Sequence, residues 1–123
     1  FVVTIDVVAA ARYDAAFPFI FSPRPGTRAA SMTDDFVPAD VIQERFDRLV
    51  EAQNRISLER NQPLIGQEVE VLSEGPSRKR EDVATTRTRT GKVVSVSGRH
   101  PAGSFLRVRI SDAGHHSLTG QAV

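Results

Sequence analysis

The feature that most constrains the fold is a change of hydrophobic periodicity near Ile65. From this residue onward apolar and polar side chains alternate in short runs, which is the pattern of strands with one buried face. Glycine-containing segments separate the runs at regular intervals. The runs are Gln67–Glu74, Thr85–Thr90, Lys92–Ser97, Phe105–Ile110 and Ser117–Gln121. Five short strands with turns between them predict a small antiparallel, OB-like β-barrel.

The first half of the chain follows a different period. Residues 1–12 and 38–60 carry apolar side chains at helical spacing, and both stretches predict helices. Pro38 suits the first position of the second helix, and Pro63 follows its end. Gln53 interrupts the apolar stripe of this helix. We interpret the stripe as a packing surface for a neighbouring domain rather than as a ligand site.

Residues 15–21, with the sequence AAFPFIF, predict a strand buried on both faces of a parallel sheet, although Pro18 cannot donate to a ladder. Residues 22–27, SPRPGT, predict a turn, and 28–37 an exposed connector. A single helix cannot cover both faces of a buried strand, so this unit needs neighbouring elements. We therefore expect residues 1–35 to be poorly packed, whereas the barrel folds independently. The apolar residues expected to stay uncovered are Ile5, Val8, Phe17, Phe19 and Ile20.

Composition excludes several functional classes. The chain has no cysteine, so it has neither a disulfide nor a cysteine-ligated zinc or iron–sulfur site. The histidines, His100, His115 and His116, are too few and too poorly spaced to predict a metal site. No apolar run approaches the length of a membrane span, and the N-terminal residues show no basic region followed by a long apolar stretch, so we expect no signal peptide. We expect a processed chain or a fragment, and we predict no catalytic residues because no nucleophile–base pair or phosphate loop is present.

Charge is distributed unevenly along the chain. Residues 1–61 hold seven basic and nine acidic residues, and residues 62–123 hold nine basic and six acidic residues. The stretch 76–109 is more extreme, with nine basic residues against Glu81 and Asp82, for a net charge of +7. This asymmetry favours an anionic partner for the second half of the chain.

Side chains two apart on a strand share a face, so Arg87 pairs with Arg89, and Arg107 with Arg109. Such pairs on one wall of a barrel would follow a phosphate backbone, and this predicts RNA binding. The predicted RNA-binding residues are Arg78, Lys79, Arg87, Arg89, Lys92, Arg107 and Arg109. Further hydroxyls come from Thr85, Thr86, Thr88 and Thr90. Phe105 is the only candidate for base stacking, which favours backbone and shape recognition. The alternative is a solvated face without a ligand.

Three segments resemble a known family. Residues 1–30 resemble the end of the radical-SAM domain of MiaB-type tRNA methylthiotransferases, whose pattern is roughly F-x-x-T-x-D-V-V-x-x-A-R-x-D-x-A-F-x-F-x-Y-S-x-R-P-G-T-x-A-A. The segment ERFDRLVEAQNRISLERN is similar to their linker helix. The segments VEVLSEGPS, TRTRTGKVV and VRISDAGHHSLTG are similar to their C-terminal TRAM domain. Pro18 and Phe21 depart from the pattern, where Thr and Tyr are usual.

The resemblance implies an α+β chain in three parts. Residues 1–35 would be the last βα unit of a radical-SAM partial barrel, 36–61 a linker helix, and 62–123 the TRAM barrel. The family enzyme inserts a methylthio group at C2 of an N6-isopentenylated adenosine in tRNA, using S-adenosylmethionine and two 4Fe-4S clusters. The segments that hold these cofactors lie upstream in the family. We therefore expect this chain alone to be inactive and to bind no cofactor. Its expected partners are tRNA and the remainder of the enzyme. We expect the enzyme to be cytoplasmic and not to associate with a membrane.

Ser22 and Arg24 fall in the family's S-x-R-P-G-T turn. A turn after a barrel strand lies on the face where active sites form, so these residues are candidates for proximity to cofactor or substrate. A purely structural turn explains them as well. Two other classes also remain open, a free-standing TRAM-type RNA-binding protein or chaperone and a non-catalytic interaction module. A methylthiotransferase acting on a ribosomal protein is a variant of the family reading.

Overall fold

The computed structural model describes residues 1–123 as two helices followed by a closed five-stranded barrel. The helices are α1, Val2–Ala11, and α2, Ala39–Asn61. The strands are β1, Glu68–Pro76; β2, Val83–Thr88; β3, Val93–Ser97; β4, Phe105–Ala113; and β5, Leu118–Ala122. Short 3₁₀ turns lie at Ala29–Ser31, Thr33–Asp35 and Gln62–Leu64. Both predicted helices and all five predicted strands are confirmed; Pro38 is the N-cap of α2 rather than its first helical residue.

The sequence pattern predicted an antiparallel barrel, but one pair of strands in the barrel is parallel. Its strand order is β1-β2-β3-β5-β4, and the pairing of β3 with β5 is parallel. The reason is parity: when each neighbour reverses direction, an odd number of strands cannot close a ring without one parallel pair. The strand β5 enters between β3 and β4 and supplies that pair.

The barrel interior is filled by small branched side chains. Its buried cluster consists of Val71, Val94, Val96, Val108, Ile110 and Leu118. Thr86 also faces inward, where its hydroxyl donates to the carbonyl of Val94 at 2.9 Å, so it cannot contribute the surface hydroxyl that the sequence suggested. Gly120 lies directly against β4, because a Cβ at this position would come within 2.3 Å of Val108 Cγ1. The space between β5 and β4 at Gly120 is therefore too small for any side chain.

The predicted strand over 15–21 does not form. These residues have no regular structure, and the rings of Phe17 and Phe19 are 84% and 87% exposed. A strand needs a partner edge, and the only sheet in this chain is a closed barrel without one. Pro18 removes a further backbone donor. The expected βα unit of a partial barrel is therefore not present in this structure.

The helix α1 packs against α2 along one side. Val8 is buried, contrary to expectation, and Ile5 is half-buried. The ring of Phe1 faces two guanidinium groups of α2, Arg45 at 5.4 Å and Arg48 at 4.9 Å. These contacts cover α1 in part, whereas Phe17 and Phe19 farther along the chain stay exposed. Neither helix combines the length and apolarity needed to traverse a bilayer.

Candidate nucleic-acid interface

The strand β1 lies between β2 and β4, so the three strands form one continuous wall of the barrel. The outer surface of this wall carries the four strand arginines of the sequence analysis, three glutamates and two apolar side chains. We call it the arginine–glutamate wall. Its members are Glu68, Glu70, Leu72, Glu74, Arg87, Arg89, Phe105, Arg107 and Arg109.

Each arginine of the wall has a carboxylate partner on β1. Arg109 Nη2 donates to Glu68 at 2.6 Å, and Arg107 Nη2 lies 3.7 Å from the second oxygen of that carboxylate. Arg89 donates to Glu70 at 2.9 Å, and Arg87 donates to Glu74. All four arginine side chains are at least half exposed. The structure therefore brings the four arginines together but interleaves them with acids.

The net charge of the wall follows from this arrangement. Four arginines against three glutamates leave a net charge of +1 on the wall. The value of +7 for residues 76–109 described a sequence window that begins after the three glutamates of β1. The strand β1 lies between the two arginine-bearing strands. The wall is thus a ladder of ion pairs rather than a uniformly basic surface.

An apolar patch interrupts the ladder. Leu72 pairs in register with Phe105 on one side and with Arg87 on the other. The two apolar side chains are exposed, Phe105 to 68% of its surface. An aromatic ring presented among guanidinium groups is the arrangement on which nucleobases stack in single-strand binders. Phe105 is therefore exposed where a base could reach it, and base stacking on this ring stays a prediction.

Arg78 and Lys79 do not belong to the wall. They lie in the loop between β1 and β2, while Arg107 and Arg109 face the opposite end of β1. Arg78 instead lines an open cleft with Arg99 and His100, which the sequence analysis did not select. Because Arg99 and His100 come from the loop after β3, no local pattern could have linked them to Arg78.

The same loop holds an exposed ion pair. Arg80 donates twice to Asp82, at 3.1 and 2.6 Å, and this hydrogen bonding lowers the pKa of the Asp82 carboxyl. Arg80 is thereby paired with Asp82, whereas Arg78 and Lys79 have no carboxylate partner.

Lys92 is held inside the molecule rather than presented on the wall. Its Nζ donates to Asn61 Oδ1 at 2.7 Å and lies 3.3 Å from the carboxylate of Asp14. Only 16% of its side chain is exposed. Asn61 in turn donates to the carbonyl of Gly114 at 2.9 Å. Lys92 therefore joins the barrel to α2 and to the segment after α1.

We call this set of contacts the junction network. Asp14 accepts a hydrogen bond from Arg60 of α2, and this bond, assisted by the charge of Lys92, lowers the pKa of the Asp14 carboxyl. Two residues earlier, Arg12 pairs with Glu59 at 3.0 Å. The segment after α1 is thus fixed to the C-terminal end of α2 and to the rim of the barrel.

Gln53, which interrupts the apolar stripe of α2, completes the junction network. Its side chain is 4% exposed, and its Nε2 donates to the carbonyl of Tyr13 at 2.8 Å and to the hydroxyl of Ser57 at 2.9 Å. The polar residue in the stripe is therefore a docking contact for the segment after α1. The interruption itself was the sequence signal, although its partner could not be identified from it.

The predicted turn residues Ser22 and Arg24 are exposed. The turn is closed by Thr27, whose hydroxyl donates to the carbonyl of Arg24 at 2.7 Å. No group of three or more metal-ligating side chains is present anywhere in the chain, and there is no cysteine to hold an iron–sulfur cluster. The residues of this chain therefore do not fit a resident iron–sulfur cluster.

Comparison with known proteins adds two findings. A family model described as TRAM domain matches residues 62–123. The chain is also 46% identical over 121 residues to the tRNA-2-methylthio-N(6)-dimethylallyladenosine synthase of Moorella thermoacetica, covering 98% of this chain and 27% of that protein. The synthase of the same name from Tropheryma whipplei is 44% identical over 122 residues, covering 95% and 26%. The chain thus spans about a quarter of the length of these relatives.

Proposed function

Because this chain belongs to the TRAM domain family, we propose that it is the RNA-binding C-terminal part of a radical-SAM tRNA methylthiotransferase. The complete enzyme would insert a methylthio group at C2 of N6-isopentenyladenosine in tRNA. The observation that carries this proposal is the 46% identity to a named tRNA methylthiotransferase along 98% of the chain. The exposed arginines of the barrel supply the physical basis for tRNA binding.

The proposal assigns a role to each part of the chain. Residues 62–123 bind tRNA, residues 36–61 form the linker helix, and residues 1–35 complete a catalytic domain that lies elsewhere in the enzyme. The 4Fe-4S clusters and S-adenosylmethionine would be held by that domain, since no cysteine is available here. Ser22 and Arg24 would then lie near cofactor or substrate, and the chain by itself would be inactive.

The ion pairs of the wall are compatible with RNA binding. Exposed salt bridges stabilise a fold by about 0–1 kcal/mol each, so a phosphate can displace a carboxylate at low cost. Arginine binds phosphate with the same bidentate geometry that it uses for carboxylate. A phosphate backbone lying along β2 or β4 would exchange Glu68, Glu70 and Glu74 for its own oxygens. Arg78 and Lys79 would extend the contact at the far end of β1.

Binding of the chain to total tRNA across a salt series tests this role. The variant Arg107→Ala/Arg109→Ala removes two wall arginines, and Arg28→Ala/Arg55→Ala removes two exposed arginines of the N-terminal half. We expect the wall variant alone to lose affinity, with a dependence on the logarithm of salt shallower by about 1.5. Equal binding by both variants would show that the wall is a solvated face.

The activity of the complete protein needs its own test. Deletion of the full gene should remove 2-methylthio-N6-isopentenyladenosine from the tRNA nucleosides measured by mass spectrometry and leave N6-isopentenyladenosine. Unchanged methylthiolation in the deletion strain would contradict the enzymatic proposal. It would favour the alternative of an RNA-binding protein or chaperone without catalysis.

A further inference from the structure

A basic cleft lies at one end of the barrel, between the loop that joins β1 to β2 and the loop that joins β3 to β4. The strand register places these two loops side by side, because the start of β2 pairs with both the end of β1 and the end of β3. The junction network lies at the opposite end, with Lys92 beside the β2–β3 turn and Gly114 in the β4–β5 turn. The cleft is therefore built from the barrel alone, away from the end that joins α2.

A buried serine on β1 holds the loop after β3 in place. Ser73 is 2% exposed, and its hydroxyl donates to the carbonyl of His100 at 2.8 Å. Its backbone amide and carbonyl make two further hydrogen bonds to the same loop, both at 2.8 Å. The two loops are also joined directly, since the amide of Gly98 donates to the carbonyl of Asp82 at 2.8 Å. The side chains of the cleft are thus carried by a backbone that is fixed before any ligand binds.

The positive charges of the cleft are unpaired. Arg78 and Arg99 come from the two different loops, are exposed, and form no ion pair. Glu81 also lines the cleft, but its carboxylate pairs with neither arginine. In this respect the cleft differs from the wall, where each arginine has a carboxylate partner. An anion that enters the cleft therefore displaces no carboxylate from either guanidinium group.

The remaining polar groups suit a phosphate. Guanidinium groups bind phosphate oxygens with two parallel hydrogen bonds. The hydroxyl of Ser77 accepts from the amide of Lys79 at 3.3 Å, so its own proton remains available for donation to a ligand. The half-buried ring of His100 lies with its Nε2 3.2 Å from the carbonyl oxygen of Ser97, which holds the ring at the edge of the cleft.

We propose that this cleft is a second phosphate-binding site of the barrel, at which an RNA phosphate is bound beyond the arginine–glutamate wall. Arg78 and Arg99 contact the phosphate from opposite loops, Ser77 donates to it, and His100 borders it. The inference rests on the proposed RNA-binding function and makes it more specific. The bound RNA reaches past the end of β1 to the end of the barrel that faces away from α2.

Binding of the full chain to total tRNA across a salt series tests the site. Arg99→Ala and Arg80→Ala each remove one positive charge from this end of the barrel, but Arg80 is paired with Asp82 and does not line the cleft. We expect Arg99→Ala to make the dependence on the logarithm of salt shallower by about 0.7–0.9, the effect of one lost phosphate contact. Arg80→Ala should leave this slope unchanged.

The imidazole signals in NMR spectra locate the phosphate directly. The chain has three histidines, of which His100 borders the cleft, whereas His115 and His116 lie at the opposite end of the barrel. An RNA hairpin should shift the signal of His100, and Arg99→Ala should abolish the shift. Inorganic phosphate should shift the same signal. A response of His100 to inorganic phosphate but not to RNA would identify a site for a small anion only and overturn the proposal.

The outcomes separate this inference from the function on which it rests. Loss of tRNA binding in Arg107→Ala/Arg109→Ala, together with an unchanged slope in Arg99→Ala and an unshifted His100 signal, would overturn the cleft and keep the RNA-binding wall. Equal slopes for Arg99→Ala and Arg80→Ala would overturn it as well. No binding of any RNA would overturn both.

Discussion

The carboxylate of Glu68 on β1 accepts a hydrogen bond from Arg109 on β4 at 2.6 Å and lies 3.7 Å from the guanidinium of Arg107. One acid thus holds both arginines of β4. Replacing it with a neutral amide would release two cations for phosphate binding without altering the size of the side chain.

We therefore expect Glu68→Gln to bind tRNA more tightly, up to about fivefold, because an exposed ion pair contributes no more than about 1 kcal/mol. Fluorescence anisotropy at low salt measures the change. Glu44→Gln serves as the control, since Glu44 pairs with Arg48 on α2, away from the wall. If the two variants bind equally, the arginines of β4 do not contact RNA.

The junction network makes stability depend on pH through Asp14. Its carboxyl has a lowered pKa in the folded chain, mainly because Arg60 donates to it. The bond therefore stabilises the fold above the ordinary aspartate pKa of about 4, and this contribution disappears as the pH falls through the lowered value. Asp14→Asn should lower the melting temperature at neutral pH and converge with the wild type in acid. A constant difference at every pH would contradict this assignment.

Gln53 offers a test of how the segment after α1 is held. Gln53→Ala would remove the hydrogen bonds to the carbonyl of Tyr13 and to the hydroxyl of Ser57, and should destabilise the fold by about 0.5–1.5 kcal/mol. Hydrogen exchange should accelerate in residues 1–14 and stay unchanged in the barrel. Gln43→Ala, on the exposed face of the same helix, is the matched control and should have little effect. Uniform acceleration throughout the chain would argue against a local docking contact.

Barrel closure depends on the absence of a side chain at Gly120. A Cβ there would lie 2.3 Å from Val108 Cγ1 and 2.9 Å from the carbonyl oxygen of Arg109, so Gly120→Ala should cost about 1–3 kcal/mol by overpacking. At Gly114 the nearest atom would be 3.4 Å away, and Gly114→Ala should be tolerated. Urea denaturation followed by circular dichroism distinguishes them. Equal urea midpoints for Gly120→Ala and Gly114→Ala would show that β4 and β5 can move apart without a loss of stability.

The sequence was sufficient for the local elements because their periodicities are strong. The alternation after Ile65 predicted all five strands, and the stripe of α2 predicted that helix to within one residue of its observed ends. The parallel pairing of β3 with β5 was missed, since alternation reports which face of a strand is buried and not which strand lies beside it. The predicted strand over 15–21 failed because its apolar run has no partner edge in this chain.

The candidate site was likewise only partly predictable from the sequence. Spacing alone placed Arg87 with Arg89 and Arg107 with Arg109. Their neutralisation by β1 could not be read from the sequence, because Glu68 and Arg109 are far apart in the chain and meet only through the register of the strands. The burial of Lys92 was missed for a similar reason, since Asp14 and Asn61 reach it from other elements.

The interleaved acids of the wall also bear on how RNA leaves. A surface of arginines alone would retain any polyanion, and departure would leave several unpaired positive charges behind. Here a carboxylate of β1 could replace each departing phosphate, and the free surface would return to near neutrality. If RNA binds the wall as proposed, the carboxylates of β1 would assist its dissociation. Such a surface would release a bound polyanion readily, which would suit the proposed role in binding many tRNA molecules in succession.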